Sequence, residues 1–507
     1  MNLRCFVSGF ALSAVLACAV SAAADAKSIR VTVGTWPPAM GNPYGQQIQG
    51  AVHPFPGIFD ALTFMDRQGK TQPRLALSWT NDGANTWTFE LRQGVNFMNG
   101  EPFNAAAVVA MIDWLKSPDA QRYFYAAEVK NIVRAEATGE YQVTFTTAAP
   151  DVILDKRMSL LPPTPPRYWQ ERGVEGFSQA PIGTGPFVLD SWGQDRGAYT
   201  MTAKPGSWRP SQHLDSVEFR ILADGARRTQ ALATGEVDMS YGLSFDDLDG
   251  LKADGFSVTL NTIPTTSAWA FSNRNPKSPL ADVRVRQAIN YAVDRDPIAQ
   301  VILHGAVTPT SHGIEPGVFG YDPTIAPYPY DPDKARALLK DAGYANGIKL
   351  RANVLTVGSS DLAPVFQQAA QDLAKVGIDV ELNGVLGTDW VQMWFTADWR
   401  GADILSSNWN GATYMDAGRA VESYTCARPN AFFCAPEVEK IFAESNLEFD
   451  PDKREKLLQA ALKKLQALAP TLYLFPQVEV IAMTPNIKPL PFRGRFVDWT
   501  QVEFADE

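Results

Sequence analysis

Between Leu75 and Leu115 the chain reads LALSWTNDGANTWTFELRQGVNFMNGEPFNAAAVVAMIDWL, and this stretch limits the fold more than any other. Trp87, Phe89 and Leu91 alternate with Thr86, Thr88, Glu90 and Arg92, the period-two pattern of a strand with one buried face. The polar run Asn81-Asp82-Gly83-Ala84-Asn85 suits a hairpin loop, with Trp79 on the preceding arm. A second turn at Asn99-Gly100 leads to Asn104, whose side chain can cap a helix over Ala105–Leu115. A hairpin feeding a capped helix calls for a packed α/β unit, and nothing in it is catalytic.

At 507 residues the chain can bury two or three cores. A formal charge of −10 without a Lys/Arg stripe argues against a nucleic-acid partner. Its N-terminus reads as an export signal over residues 1–24. Met1–Arg4 is basic, Cys5–Val20 is apolar, and Ser21-Ala22-Ala23-Ala24 offers small residues for cleavage before Asp25. Val15-Leu16-Ala17-Cys18 loosely resembles a lipobox, so a lipid anchor at Cys18 stands as the alternative to soluble export to the periplasm. With the signal removed, Cys426 and Cys434 remain, and an oxidising compartment favours a structural disulfide between them.

Helix signals recur along the chain. Asp282 can cap Val283–Val293, Asp294 the run Pro297–His304, Asp331-Pro332 a helix closed by Gly343, and Asp450-Pro451 a helix to Leu468; Ser360 precedes Leu362–Val376. Strand-like runs interleave at Ile29–Thr35, Gln142–Thr147, Leu350–Val357, Ile378–Leu382 and Leu472–Met483, giving an α/β protein with mixed sheets.

The Leu75–Leu115 block resembles the W-x-x-x-x-(D/N)-G…T-F-x-L-R-x-G-V-x-F block of family 5 extracellular solute-binding proteins, the peptide, nickel and opine receptors of ABC importers. Pro181-Ile182-Gly183-Thr184-Gly185-Pro186-Phe187, Lys204–Trp208, Asn273 with Pro279–Ile289, Tyr330–Tyr344 and Leu373–Ile378 resemble further blocks of that family in the same order. The resemblance implies a class II periplasmic-binding-protein clamshell of two lobes with an additional smaller α/β domain. It implies a discontinuous first lobe (25–60, 184–265 and 480–507), a middle domain (61–183) and a second lobe (266–479).

The sequence lacks H-E-x-x-H, G-x-S-x-G and a P-loop, so no catalytic residue and no cofactor are expected. His53, His213, His304 and His312 do not pair at metal-binding spacing, and no metal site is expected. Ligand-binding candidates are aromatic and amide residues. Trp390 and Trp394 stand at i, i+4 and can share a helix face. Trp409, flanked by Asn408 and Asn410 and followed by Thr413, falls on the G-W-x-x-D run that in peptide-binding relatives pairs with the ligand main chain. Ala412 occupies the place of that Asp, so the clamp for an α-amino group is missing there; Asp416 substitutes only through a rearranged loop. Met40 and Asn42 after the first strand, Tyr123 and Tyr125 after Ser117-Pro118, and Trp269 near the lobe crossing, with Thr266 beside it, complete the set.

The function expected is that of a monomeric periplasmic receptor. It captures a peptide or similar small organic solute by hinge closure and delivers it to an inner-membrane ABC permease. An opine, a sugar-amino-acid conjugate or a metal chelate is the alternative cargo. An exported glycan hydrolase is the rival from another class.

Overall fold

The computed structural model describes residues 27–45, 53–355, 362–411, 413–428, 430–492 and 497–505. The export signal, Cys18, Ser360 and Ala412 lie outside these ranges.

The opening block folds as its pattern predicts. Ala76–Asn81 and Thr86–Leu91 pair antiparallel, and Trp87, Phe89 and Leu91 are all buried. The loop is held by Asn81 Oδ1 accepting from the Gly83 amide (2.7 Å) and by Asp82 Oδ1 accepting from Ala84 (2.9 Å) and Thr86 (3.0 Å). Asn104 Oδ1 accepts from the Ala106 amide (3.1 Å) at the start of the helix Ala105–Lys116. These strands join Gln142–Thr147 and Ile132–Gly139 in a four-stranded sheet. Phe89 meets Phe145 edge-on at 5.4 Å, inside a core that is continuous with Ile29, Val31, Phe187 and Phe219 of the main sheet.

That main sheet has ten strands, in the order 378–385, 348–355, 404–410, 257–271, 471–483, 239–243, 28–33, 216–221, 198–203 and 187–191. Its pairings are mixed. Ser28–Val33 runs parallel to both neighbours and Ile348–Leu355 likewise, while the remaining pairs are antiparallel. The architecture is the two-lobed α/β clamshell that the motifs imply.

Two long strands, Ser257–Phe271 and Thr471–Met483, connect the halves of the sheet. They pair antiparallel from Ser257↔Met483 to Ala270↔Thr471. At one end Met239–Leu243 adds to this pair, and at the other Ile404–Asn410 does. Their register shifts between Ile263 and Thr266, where Pro264 carries no N–H to donate. Pro476 faces Thr266 across the same break. The ladder is thus interrupted near the middle of the crossing strands.

Beyond the break, Trp269 and Phe271 enter one core while Ala268 and Ala270 enter another on the opposite face. Helix caps form at Asp282, Asp331 and Asp450. The predicted helix from Pro297 instead begins at Arg295, without a side-chain bond from Asp294, and passes into a π-turn over Ile298–Ile302. In the turn 181–187 a Cβ on Gly183 would stand 2.0 Å from the Ile58 carbonyl oxygen, and one on Gly185 2.3 Å from that of Gly57. Glycine is required there because the backbones touch.

Cys426 and Cys434 form the expected disulfide. The loop it closes buries Phe432 and Phe433 and lays Arg428 over the rings of Trp394 (4.9 Å) and Phe432 (5.1 Å). Replacing both cysteines by serine is expected to remove ~2–3 kcal/mol of stability on the loop-entropy estimate. Chemical denaturation with and without reductant checks this: wild type should be sensitive to reductant and the double variant indifferent to it.

Candidate functional site

A cavity of about 540 Å³ opens beside the break in the crossing strands. The crossing strand itself supplies Asn261, Thr262 and Pro264. Phe55, Phe59, Phe64, Met65 and Tyr125 wall it together with Glu315, Pro316, Thr413 and Met415 from distant parts of the chain. Its size and its mix of aromatic wall with charged and polar groups suit a small polar organic solute.

The polar groups are unequal in what they can offer. Arg209 bonds Asp60 (2.9 Å) and Asp498 (2.8 Å), and Arg74 lies 3.8 and 3.5 Å from the same two carboxylates. Two guanidiniums and two carboxylates close a neutral cluster. Burial would raise Asp498, but Arg209, with Thr500 and Arg74, holds it below the usual carboxylate range. Arg67 is different: it lines the cavity, is exposed, and makes no ion pair with any described residue.

Glu315 is 6% exposed, and its carboxyl accepts a 2.6 Å hydrogen bond from Thr266 Oγ1. Burial lifts its pKa to about 7 against the opposing hydrogen bonds from Thr266 and Thr310. Tyr125 is likewise raised to about 12 by burial, with Glu128 adding to the shift.

Asp416, the sequence-level substitute for the missing loop carboxylate, is saturated. Arg454 grips it bidentately (2.7 and 2.9 Å), Lys156 bonds it at 3.0 Å, and the Gly418 amide donates at 3.0 Å. Burial alone would raise its pKa; Lys156 and Arg454 outweigh burial and hold it well below the ordinary range. Next to it, Tyr414 donates to Glu128, and Arg157 bridges Glu128 (2.6 Å) and Asp151 (3.0 Å). Both clusters tie the segment 413–416 to the 128–157 region.

The structure disperses the eleven candidate ligand residues. Tyr125 and Thr413 line the cavity. Trp390 and Trp394 do share a helix face, stacked at 5.9 Å and 8°, and Trp394 meets Trp409 edge-on at 5.4 Å. Trp409, 1% exposed, packs 4.7 Å from Tyr424 in the core. Trp269 is fully buried against Phe366 at 5.7 Å. Asn408 pairs with Ser267 and Asn410 with Thr265 through the sheet, and the Asn410 side chain lies outside the described set. Asn42 is buried and accepts from the Tyr44 amide (2.9 Å); Met40 packs beside the first core; Tyr123 lies 5.8 Å from Trp114. None of these other nine is among the cavity residues. Trp269 and Trp409 alternate onto core faces because their strands are covered on both sides.

Sequence reasoning passed over Glu315 and Arg67. Glu315 leaves one faint signal, a lone charge within Gly313-Ile314-Glu315-Pro316-Gly317.

Residues 70–432 match the family model described as bacterial extracellular solute-binding proteins, family 5 Middle. The chain belongs to this family. The glutathione-binding protein GsiB of Escherichia coli (strain K12) is 27% identical over 508 residues, covering 94% of this chain and 94% of that one. NikA from Brucella suis, solved with Fe(III)-EDTA, superposes with a TM-score of 0.82 at 24% identity, over 94% of this chain and 100% of NikA. DppA from Helicobacter pylori, solved with the peptide STSA, gives 0.79 at 22% identity, over 94% and 98% of the two chains. As a family 5 member the protein is a binding protein for transport and not an enzyme, which sets the hydrolase reading aside.

Proposed function

We propose that the protein is the periplasmic solute receptor of an ABC importer, that it acts as a monomer, and that the cavity beside the strand break takes a small solute of peptide size. The observation that carries this is the placement of that cavity. Residues that precede the break in the chain (Tyr125) and residues that follow it (Glu315, Thr413) both wall it, and Pro264 at the break lines it as well. A ligand touching both walls favours the closed arrangement over the open one, and capture follows as a population shift. Regions 25–60, 184–265 and 480–507 serve as one lobe and 266–479 as the other, with 61–183 moving beside the first. Export through the N-terminal signal delivers the chain to the compartment where the permease presents its receptor face.

Glutathione heads the candidate cargoes because the GsiB relatives carry that name over nearly their whole length. Free tripeptides stand beside it, followed by opines and metal chelates. Thermal-shift titration against these compounds and against oligosaccharides tests the reading. A cognate ligand at a hundred times its Kd should stabilise by about 2.7 kcal/mol. It should also be recovered chemically unchanged. Turnover of the stabilising compound, or stabilisation by glycans alone, would overturn it. Mass spectrometry of solute released from protein purified out of periplasm identifies the native cargo.

A further inference from the structure

Glu315 is a costly residue to keep. Its carboxyl is 6% exposed at the wall of the cavity and is bonded to the side chain of Thr266, which is itself fully buried beside the strand break. Among the described residues, no Lys, Arg or His lies within ion-pair distance of it, in contrast to the carboxylates around it. Asp60 and Asp498 are answered by Arg74 and Arg209, and Asp416 by Arg454 and Lys156. A buried carboxyl without a cation is expensive in its charged form. Packing does not explain it, since an amide of the same shape would accept the Thr266 hydrogen bond without that cost.

We propose that Glu315 is the specificity-determining acceptor for a primary ammonium group on the ligand, the cation it lacks in the free protein. The assignment rests on the solute-receptor reading and deepens it. Thr266 positions the carboxyl from the crossing strand, so the contact forms where the lobes meet. Arg67, which has no ion-pair partner among the described residues and lines the same cavity, offers the complementary cation for a ligand carboxylate. The two together select a zwitterionic solute over a plain acid or a sugar.

The proton balance follows. Facing Glu315 are Thr266 and Thr310 as hydrogen-bond donors, with Tyr321 close enough to feel its charge; His312, three residues earlier in the chain, has its pKa lowered by burial. Arg67, Arg74 and Arg209 and the acids Asp60, Asp66 and Asp498 line the remaining wall. In the free protein the carboxyl titrates at about 7, so at neutral pH a share of molecules carry the proton. Ammonium binding favours the carboxylate, and that proton leaves to the buffer. The raised pKa also means that the charged form costs folded-state stability, a cost that appears as pH rises from the ordinary Glu range to about 7.

The test uses the full chain, with glutathione and tri-alanine as probes, each also in its N-acetylated form. Titration calorimetry in buffers of differing ionisation enthalpy reads both affinity and proton release. Wild type should bind the free-amine forms at least tenfold tighter than the acetylated forms and release a fraction of a proton near pH 7. Glu315→Gln should abolish both the discrimination and the proton release, and melt higher than wild type at pH 8 but not at pH 4. Thr266→Val should weaken discrimination partially. Equal discrimination in wild type and Glu315→Gln overturns the assignment while leaving the receptor reading intact. Wild type that binds none of the four probes overturns the assignment together with the peptide-sized cargo on which it rests.

Discussion

Asp416→Asn is expected to destabilise the protein by about 3–5 kcal/mol, the usual cost of stripping one partner from a buried ion cluster. The fully buried carboxylate answers both Arg454 and Lys156, whose side chains are themselves largely buried. An asparagine of the same shape keeps the Gly418 amide bond and leaves two cations without a counter-charge. The folded-state pKa of Asp416 is depressed, so the sign is that of stabilisation present above the ordinary Asp pKa and lost as pH falls through and below it. Urea denaturation at pH 7 and at pH 3 checks both parts. The gap between wild type and variant should be wide at neutral pH and only begin to close at pH 3. Because Lys156 bonds Asp416 from a segment far away in the chain, Lys156→Met should loosen the segment 413–416, seen as faster amide exchange at Met415 and Asp416.

Trp409→Ala should cost about 3–5 kcal/mol, as expected for an excavated aromatic core. The indole is packed against Tyr424, Trp394 and Phe432. Gly313 passes so close that a Cβ there would stand 3.0 Å from it. Trp409→Phe should retain most of the stability, and ligand affinity measured well below the melting transition should be unchanged in it. A tenfold affinity loss in Trp409→Phe without a stability loss would reverse this and return Trp409 to the ligand wall.

Those two residues show where sequence reading stops. Trp409 was legible as the aromatic of a family motif, yet which face of Ile404–Asn410 meets solvent depends on the helices and loops that cover the sheet, the Cys426–Cys434 loop among them. Asp416 was legible as a nearby acid, but Arg454 lies 38 residues and Lys156 260 residues away along the chain. The strand Ser257–Phe271 was not anticipated as one element because Pro264 falls inside it, and a mid-strand proline reads as a break. The break is real in the ladder, though the strand continues through it and supplies the cavity wall.

By itself the sequence determined what short-range physics decides. The Thr86–Leu91 alternation makes a one-faced strand, Asn104, Asp282, Asp331 and Asp450 start helices through local amide bonds, and Cys426 and Cys434 stand eight residues apart on a loop that a disulfide can close. Ordered family motifs extended this to the clamshell. Only the tertiary structure decided which charges are spent and which are free. Pairing among Asp60, Asp498, Asp416 and their cations, and the lack of a cation beside Glu315 among the described residues, are set by contacts between segments far apart in the chain. No periodicity or capping rule carries that information.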